Sequence, residues 1–255
     1  KDLVWKETIE PMIQRLSQLV IDKGDYCFFP AGVFEPNAKV SPDAKVPKGI
    51  WSVECSGGRL IQGLAQYYKV TGYEPARKLA EKLVKCLRYH GEYYNEEGHF
   101  LPDNLGMPIG HSAFRPFVFS GAHFHAHTIG LLSMLEYGLS VNDRELLEFV
   151  KKSYEWAKTQ GSSLVGFFPE FLEENEKYPT SEICEVADMI ALALKLTDAG
   201  IGDYLDDVDR WVRNQFAETQ LTKTDWGDKI PRLTRREPPS PNVTGDRVAE
   251  TNLVA

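Results

Sequence analysis

Several features that would settle the class of this chain are missing from it. Its four cysteines, Cys27, Cys55, Cys86 and Cys184, lie far apart and form no CxxC pair. An even count permits two disulfides in an exported protein, but in a chain of this size buried free thiols serve equally well. No window approaches the roughly 18–20 consecutive apolar residues that span a bilayer, because Lys, Glu or Asp interrupts every long helical stretch. Positive charge is also scarce. Lys and Arg number 29 against 37 Asp and Glu, giving a net charge of −8 and a pI near 5.4. That balance argues against nucleic acid or anionic lipid as a partner, and the basic cluster "RLTRR" does not reverse it. There is no initiator Met and no signal peptide, since "KDLVWKETIE" already reads as helix. Lys1 therefore reads as a processed or trimmed start; a soluble protein is expected, with its compartment, cytoplasmic or periplasmic, left open.

What is present is helix and long loop. With 255 residues and 42% hydrophobic content, the chain can bury one large core or two modest ones. Residues 1–22 carry Leu3, Val4, Ile9, Ile13, Leu16 and Val20 near a 3.6-residue period. A stretch punctuated by Gly and Pro, 23–50, leads to a helix expected from Cys55 to Val70 and stopped by Thr71-Gly72. The next helix runs through Leu79, Leu83, Cys86 and Leu87 to Gly91, read as a left-handed cap. After loop 91–122 come "HAHTIGLLSMLEYG" and a helix beginning at Asp143; after loop 161–180 come helices over 181–199 and 203–218, joined by a Gly200–Gly202 turn.

The rhythm of long loop, helix, tight turn, helix occurs three times without any near-identical repeat, so an ordinary solenoid is excluded. Alternating long and short connections put every long loop at one end of a ring of αα-hairpins, where a site is built. The expected fold is all-α, an incomplete toroid of hairpins over residues 1–220. A polar, proline-rich segment, 221–255, leads toward helices this chain lacks.

Four stretches carry chemical potential. Loop 91–122 combines Tyr93, Tyr94, Phe100, Phe114, Phe117 and Phe119 with Asp103, His111 and Arg115. Aromatic faces interspersed with hydrogen-bonding groups suit a sugar, although buried they are plain packing. In "HFHAH", His123, His125 and His127 face one way if extended, and two could ligate a metal; if helical, only His123 and His127 share a face. Polar contact in a pocket wall is the favoured reading, with His127 chosen as a substrate contact. In "GFFPEFLEE", Glu170 sits among Phe167, Phe168 and Phe171. A dry aromatic setting raises a carboxyl's pKa, as a general acid requires. In "YPTSEICEVADMI", Thr180 or Ser181 reads as the N-cap, and Ile183, Val186, Ala187, Ile190 and Leu194 as the buried stripe. First-turn acids follow from the helix dipole, which also stabilises a thiolate; Cys184 is what capping leaves over.

Taken in order, "HT" at a helix start, the glutamate of "FFPEF", the Glu-x-Cys of Glu182 and Cys184, and "DDVDRWVRNQ" one helix later resemble the bacterial β-L-arabinofuranosidases. The likeness runs as scattered motifs from about residue 51 to 220. It implies an (α/α)6 barrel, six-hairpin in type, and a zinc ion held by Glu182, Cys184 and further cysteines, one of them the nucleophile. It also implies Glu170 as general acid/base and His127 as a substrate-binding histidine. One departure is plain: no cysteine follows Cys184. A two-carboxylate mechanism using Glu170 and Glu182 without metal is the alternative, with Arg115 or Arg59 pairing a uronate.

The expectation is thus a glycoside hydrolase acting on a terminal pentose or uronic acid of a plant or algal glycan. Glu170 and Glu182 are its catalytic residues. His123, His125, His127, Arg115, Asp103 and Tyr94 contact the sugar. Zinc on Glu182 and Cys184 is the one cofactor considered. A non-catalytic glycan- or protein-binding toroid and a polysaccharide lyase are the competing readings.

Overall fold

Apolar residues at helical spacing become helices wherever a second helix covers them. The computed structural model of the chain describes residues 3–30, 41, 43–46, 58–102, 122–172 and 181–220. Asp103, His111, Arg115, the loop phenylalanines after Phe100, Cys55 and segment 221–255 lie outside the described residues.

Helix α1, Leu3–Leu19, comes first and keeps Pro11 within it. The two-residue strands β1, Ile21–Asp22, and β2, Cys27–Phe28, follow and pair antiparallel. Three αα-hairpins make up most of what remains of the described residues. In the first, α2 spans Gly58–Thr71 and buries Ile61, Leu64 and Ala65 at i, i+3 and i+4. Gly72 at φ +70° turns the chain into α3, Glu74–Lys85, which opens on a proline and an acid and widens into a π turn at Cys86–His90. In the second, α4, Phe124–Val141, ends on a left-handed Asn142. Next, α5, Arg144–Lys158, starts where a helix is expected to begin: Asp143 is its N-cap and accepts the N–H of Leu146 at 3.0 Å. In the third, α6 spans Ile183–Asp198 and α7 spans Leu205–Trp211, extended by a π turn to Phe216. The fold is all-α, built from hairpins as expected.

The first helices of the hairpins run parallel, side by side. Gln62 donates to Ser133, whose hydroxyl donates to the Gly58 carbonyl (2.8 Å), and Gln66 donates to Glu136. On the other flank, His125 and Thr128 meet Asp188, and Lys195 meets Glu136. Residue numbers rise together across both pairings, so the N-termini of α2, α4 and α6 lie at one end. Helix α4 is covered on both sides by α2 and α6 and from behind by α5. Its apolar residues therefore extend round most of its circumference, and Phe124, Leu131, Met134 and Leu135 are all fully buried.

Three local expectations change. Gly91 is right-handed (φ −84°, ψ −9°), because the π turn ends there with its N–H on the Cys86 carbonyl; Glu92 takes the positive φ instead. Glycine is needed at 91 because a Cβ would lie 2.0 Å from the Tyr93 ring. The N-cap of α6 is Glu182, not Thr180 or Ser181. The core stripe of α6 is Glu185, Val186, Met189, Leu192, Ala193 and Leu196, whereas Ile183, Ala187 and Ile190 are half-buried and Leu194 is exposed. This helix is apolar on two faces, so periodicity alone selects the wrong one.

Glu136 is buried between α2 and α6, and Lys195 supplies its counter-charge. Lys195→Met should cost about 1–3 kcal/mol in urea unfolding, because it strands a buried carboxylate. Adding Glu136→Gln should recover part of that loss. A double variant no more stable than the single would show that the pair does not stabilise α4 against α6.

Candidate functional site

Strand β3, Ala122–His123, enters α4, and β4, Phe171–Leu172, precedes the segment that enters α6. They pair antiparallel, His123 opposite Phe171, and the Phe124 N–H donates to the Glu170 carbonyl at 2.9 Å. Beneath the ladder, Phe124 stacks on Phe168, which meets the edge of Trp211. This bridge ties the approaches to two parallel helices together at the mouth of the hairpin array.

The histidines divide in a way that neither an extended nor a helical reading of 123–127 foresees. His123 is the extended N-cap of α4, and its Nδ1 accepts the Ala126 N–H at 3.2 Å. Burial first, then His125 and His127, depress its pKa to about 3, so the ring is neutral at ordinary pH. His125, one residue into the helix, also faces the mouth, its ring 6.1 Å from that of His123. Its Nδ1 lies 2.8 Å from Asp188 Oδ2, an acceptor, which fixes the ring proton on Nδ1. Nε2 then carries the lone pair, with the exposed Arg59 guanidinium 3.5 Å away. Thr128 donates to the same Asp188 oxygen at 2.7 Å and fixes the carboxylate in turn.

His127 turns inward. It is fully buried, its Nδ1 donates to the His123 carbonyl at 2.8 Å, and its ring stacks on Phe100. Tyr94 is interior too: its hydroxyl donates to the His127 carbonyl at 2.5 Å, and Phe100 and Phe149 flank its ring. Tyr93, Tyr94 and Phe100 are therefore packing residues in this structure.

At the start of α6, the backbone of Glu182 is extended (φ −112°, ψ 160°) and the helix begins at Ile183. That one non-helical residue lets Glu182 and Cys184 meet: the thiol donates to Glu182 Oε2 at 3.2 Å. The dipole does not make this a thiolate. Burial, followed by Glu185 and Glu182, pushes the thiol far up, so it stays protonated. The Glu182 N–H donates to Glu185 Oε2 at 2.8 Å, a cap as expected of Glu185. Yet Glu185 is more than a cap. It is fully buried, its Oε1 has no partner among the described residues, and its pKa rises to about 7, chiefly by desolvation.

Glu170 is half-buried rather than dry, between a buried Phe168 and a half-buried Phe171. A carboxyl raised by burial lies one helix entrance away, at Glu185. The residues missed in the sequence are Asp188 and this second role of Glu185. Their signal was there: Glu182, Glu185 and Asp188, at i, i+3 and i+6, form an acidic line on an otherwise apolar helix.

Of the zinc set implied by the arabinofuranosidase likeness, Glu182 and Cys184 meet, and among the described residues no further cysteine joins them. The group of donor atoms that does converge, among the described residues, is His123, Glu182 and Glu185, with one atom of each within 4.8 Å of the others.

Glu185 has a stability signature. Its folded pKa of about 7 exceeds its ordinary 4.5, so the folded state holds a proton that the unfolded state releases. Its contribution is complete below pH 4.5 and falls as pH rises to about 7, by roughly 3 kcal/mol in all. His123, depressed to about 3, slopes the other way over the acid side of that window, so the effect is read as a difference. In chelator, Glu185→Gln should match the parent near pH 4.5 and be more stable near pH 8, in urea midpoints. Equal midpoints at both pH values would contradict the buried carboxyl.

No family model matches the chain, and no curated protein matches it. Among solved structures it is similar to a cellobiose 2-epimerase from Spirochaeta thermophila DSM 6192, at 14% identity and a TM-score of 0.52. The match covers 83% of this chain and 55% of that one, so the chain spans about half of its neighbour's length. That neighbour is an (α/α)6 barrel of the six-hairpin glycosidase-like type, and the likeness does not single out the arabinofuranosidases. The fold of this chain is that of the hairpin array of such a barrel.

Proposed function

We propose that the chain is part of a carbohydrate-processing enzyme that works at the mouth formed by the entrances of α2, α4 and α6. The reaction we assign is hydrolysis of the glycosidic bond to a terminal sugar of pentose or uronic acid type. The observation that carries this reading is the β3–β4 bridge, which hydrogen-bonds the Glu170 backbone to the entrance of α4, next to His123. In this reading Glu170 and Glu182, from different segments, supply the acid and the second carboxylate that glycoside hydrolysis needs. The likeness to a protein acting on a disaccharide supports sugar chemistry in such a fold. Arg59, exposed at the same rim, suits a uronate carboxylate. His123 and His125 serve as sugar contacts in this reading, and Cys184 has no catalytic part.

One observation favours a second reaction. An imidazole whose Nδ1–H is held by a half-buried carboxylate presents Nε2 as a base. Inversion at a carbon next to a carbonyl begins with removal of a proton by such a base. The His125–Asp188 pair therefore supports epimerisation of a reducing sugar, the activity for which the structural neighbour is named.

The two readings separate by variant. Under hydrolysis, Glu170→Gln should lower kcat on aryl pentosides or uronides by on the order of 10²–10⁴-fold, with Asp188→Asn much milder. Under epimerisation, Asp188→Asn should abolish solvent deuterium incorporation at C2 of a reducing disaccharide, and Glu170→Gln should not. Glycan binding with neither activity would leave the non-catalytic toroid.

A further inference from the structure

We propose that His123, Glu182 and Glu185 form a divalent-cation site of nitrogen and oxygen donors in which Cys184 takes no part. The inference is independent of whether the mouth hydrolyses or epimerises. It starts from the convergence of one donor atom from each residue within 4.8 Å. Two donors on one zinc ion at about 2.0–2.2 Å each stand about 3.4 Å apart in a tetrahedral site, so side-chain shifts of about 1 Å close the set. Acids at a helix entrance are common without a metal, and their proximity alone proves nothing. Glu185 supplies the independent sign: its Oε1 is buried and makes no hydrogen bond among the described residues, although its Oε2 accepts the Glu182 N–H. A buried carboxylate oxygen without a partner is costly unless something of opposite charge occupies its free side.

The other two ligands fit the same occupant. His123 brings an imidazole nitrogen, a common ligand for such ions, to the set. Cys184 Sγ lies outside the converging set although its thiol donates to Glu182, so a cation held by the three residues leaves the thiol aside. Two carboxylates and one imidazole, with room for solvent or substrate, suit Zn²⁺ or Mn²⁺ over a thiophilic ion. A neutral ring has one lone pair, and the Ala126 N–H now uses it. Coordination would therefore exchange that 3.2 Å cap bond for a metal bond, which makes the Ala126 amide a reporter.

The test uses the full chain stripped with chelator, then titrated calorimetrically with Zn²⁺ and Mn²⁺ and spectroscopically with Co²⁺. The expected result is one site per chain. Its Co²⁺ spectrum should show ligand-field bands without a sulfur-to-metal charge-transfer band, and the Ala126 amide resonance should shift on binding. Cys184→Ala should leave the affinity unchanged. Glu185→Gln and His123→Asn, the latter able to keep the N-cap, should each weaken binding by on the order of 10–100-fold or more. No binding of any of the three ions overturns the proposal. So does a sulfur charge-transfer band lost in Cys184→Ala, or full affinity in Glu185→Gln. Should His123→Asn fail to fold, the wild-type spectrum and the Glu185→Gln titration still decide.

Discussion

The antiparallel pairing of β3 with β4 is the contact on which the rest of the site depends. Two residue pairs and the Phe124–Glu170 hydrogen bond join two loops that approach different helices. Without that bridge, α4 and α6 would still pack through Asp188 and Lys195. The bridge runs directly into α4 at His123, and a start shifted by one residue would turn that helix's first side chains by about 100°. His123, as N-cap, and Glu182, as N-cap of the neighbouring helix, face each other because both backbones are still extended at those residues.

From that constraint the electrostatics follow. Parallel inner helices bring several N-termini to one rim, which favours carboxylates there. Glu182, Glu185 and Asp188 occupy the line on α6 that faces α4, and each does a different task. Glu182 accepts from Cys184, Asp188 holds His125 and Thr128, and Glu185 lies beneath with an unpartnered oxygen. Below the rim the same two interfaces carry buried polar pairs, Gln62 with Ser133 and Lys195 with Glu136. These fix the register of α2, α4 and α6, and thereby the distances at the mouth.

Much of the fold was legible from the residues. Helical periodicity, the helix start at Asp143 and the glycines at 72 and 200 marked the hairpins, and the alternation of long and short connections placed the mouth at one end. The site was legible only in part. Whether Glu182 and Cys184 meet turns on where the helix begins, and the sequence poses that question at the right residues. The aromatic loop misleads, because Tyr93, Tyr94 and Phe100 look like a sugar platform and fold as packing. His127 holds the motif position, yet the first helical turn points it inward and leaves His123 and His125 at the rim. Asp188 escapes a sequence reading since an aspartate within an apolar helix has no local partner to announce it. Its partners sit about sixty residues away in the chain and become neighbours only through packing.

The central claim is that sugar is processed at the rim where His123 and His125 face the carboxylates of α6. The most direct check follows the imidazole nitrogens by ¹⁵N NMR while a panel of pentosides, uronides and reducing disaccharides is titrated in. A sugar that binds should shift the His125 Nε2 and His123 signals, leave His125 Nδ1 protonated, and spare His90 and His99. Shifts confined to His90 or His99, or a bound sugar that moves neither rim histidine, would put the site elsewhere.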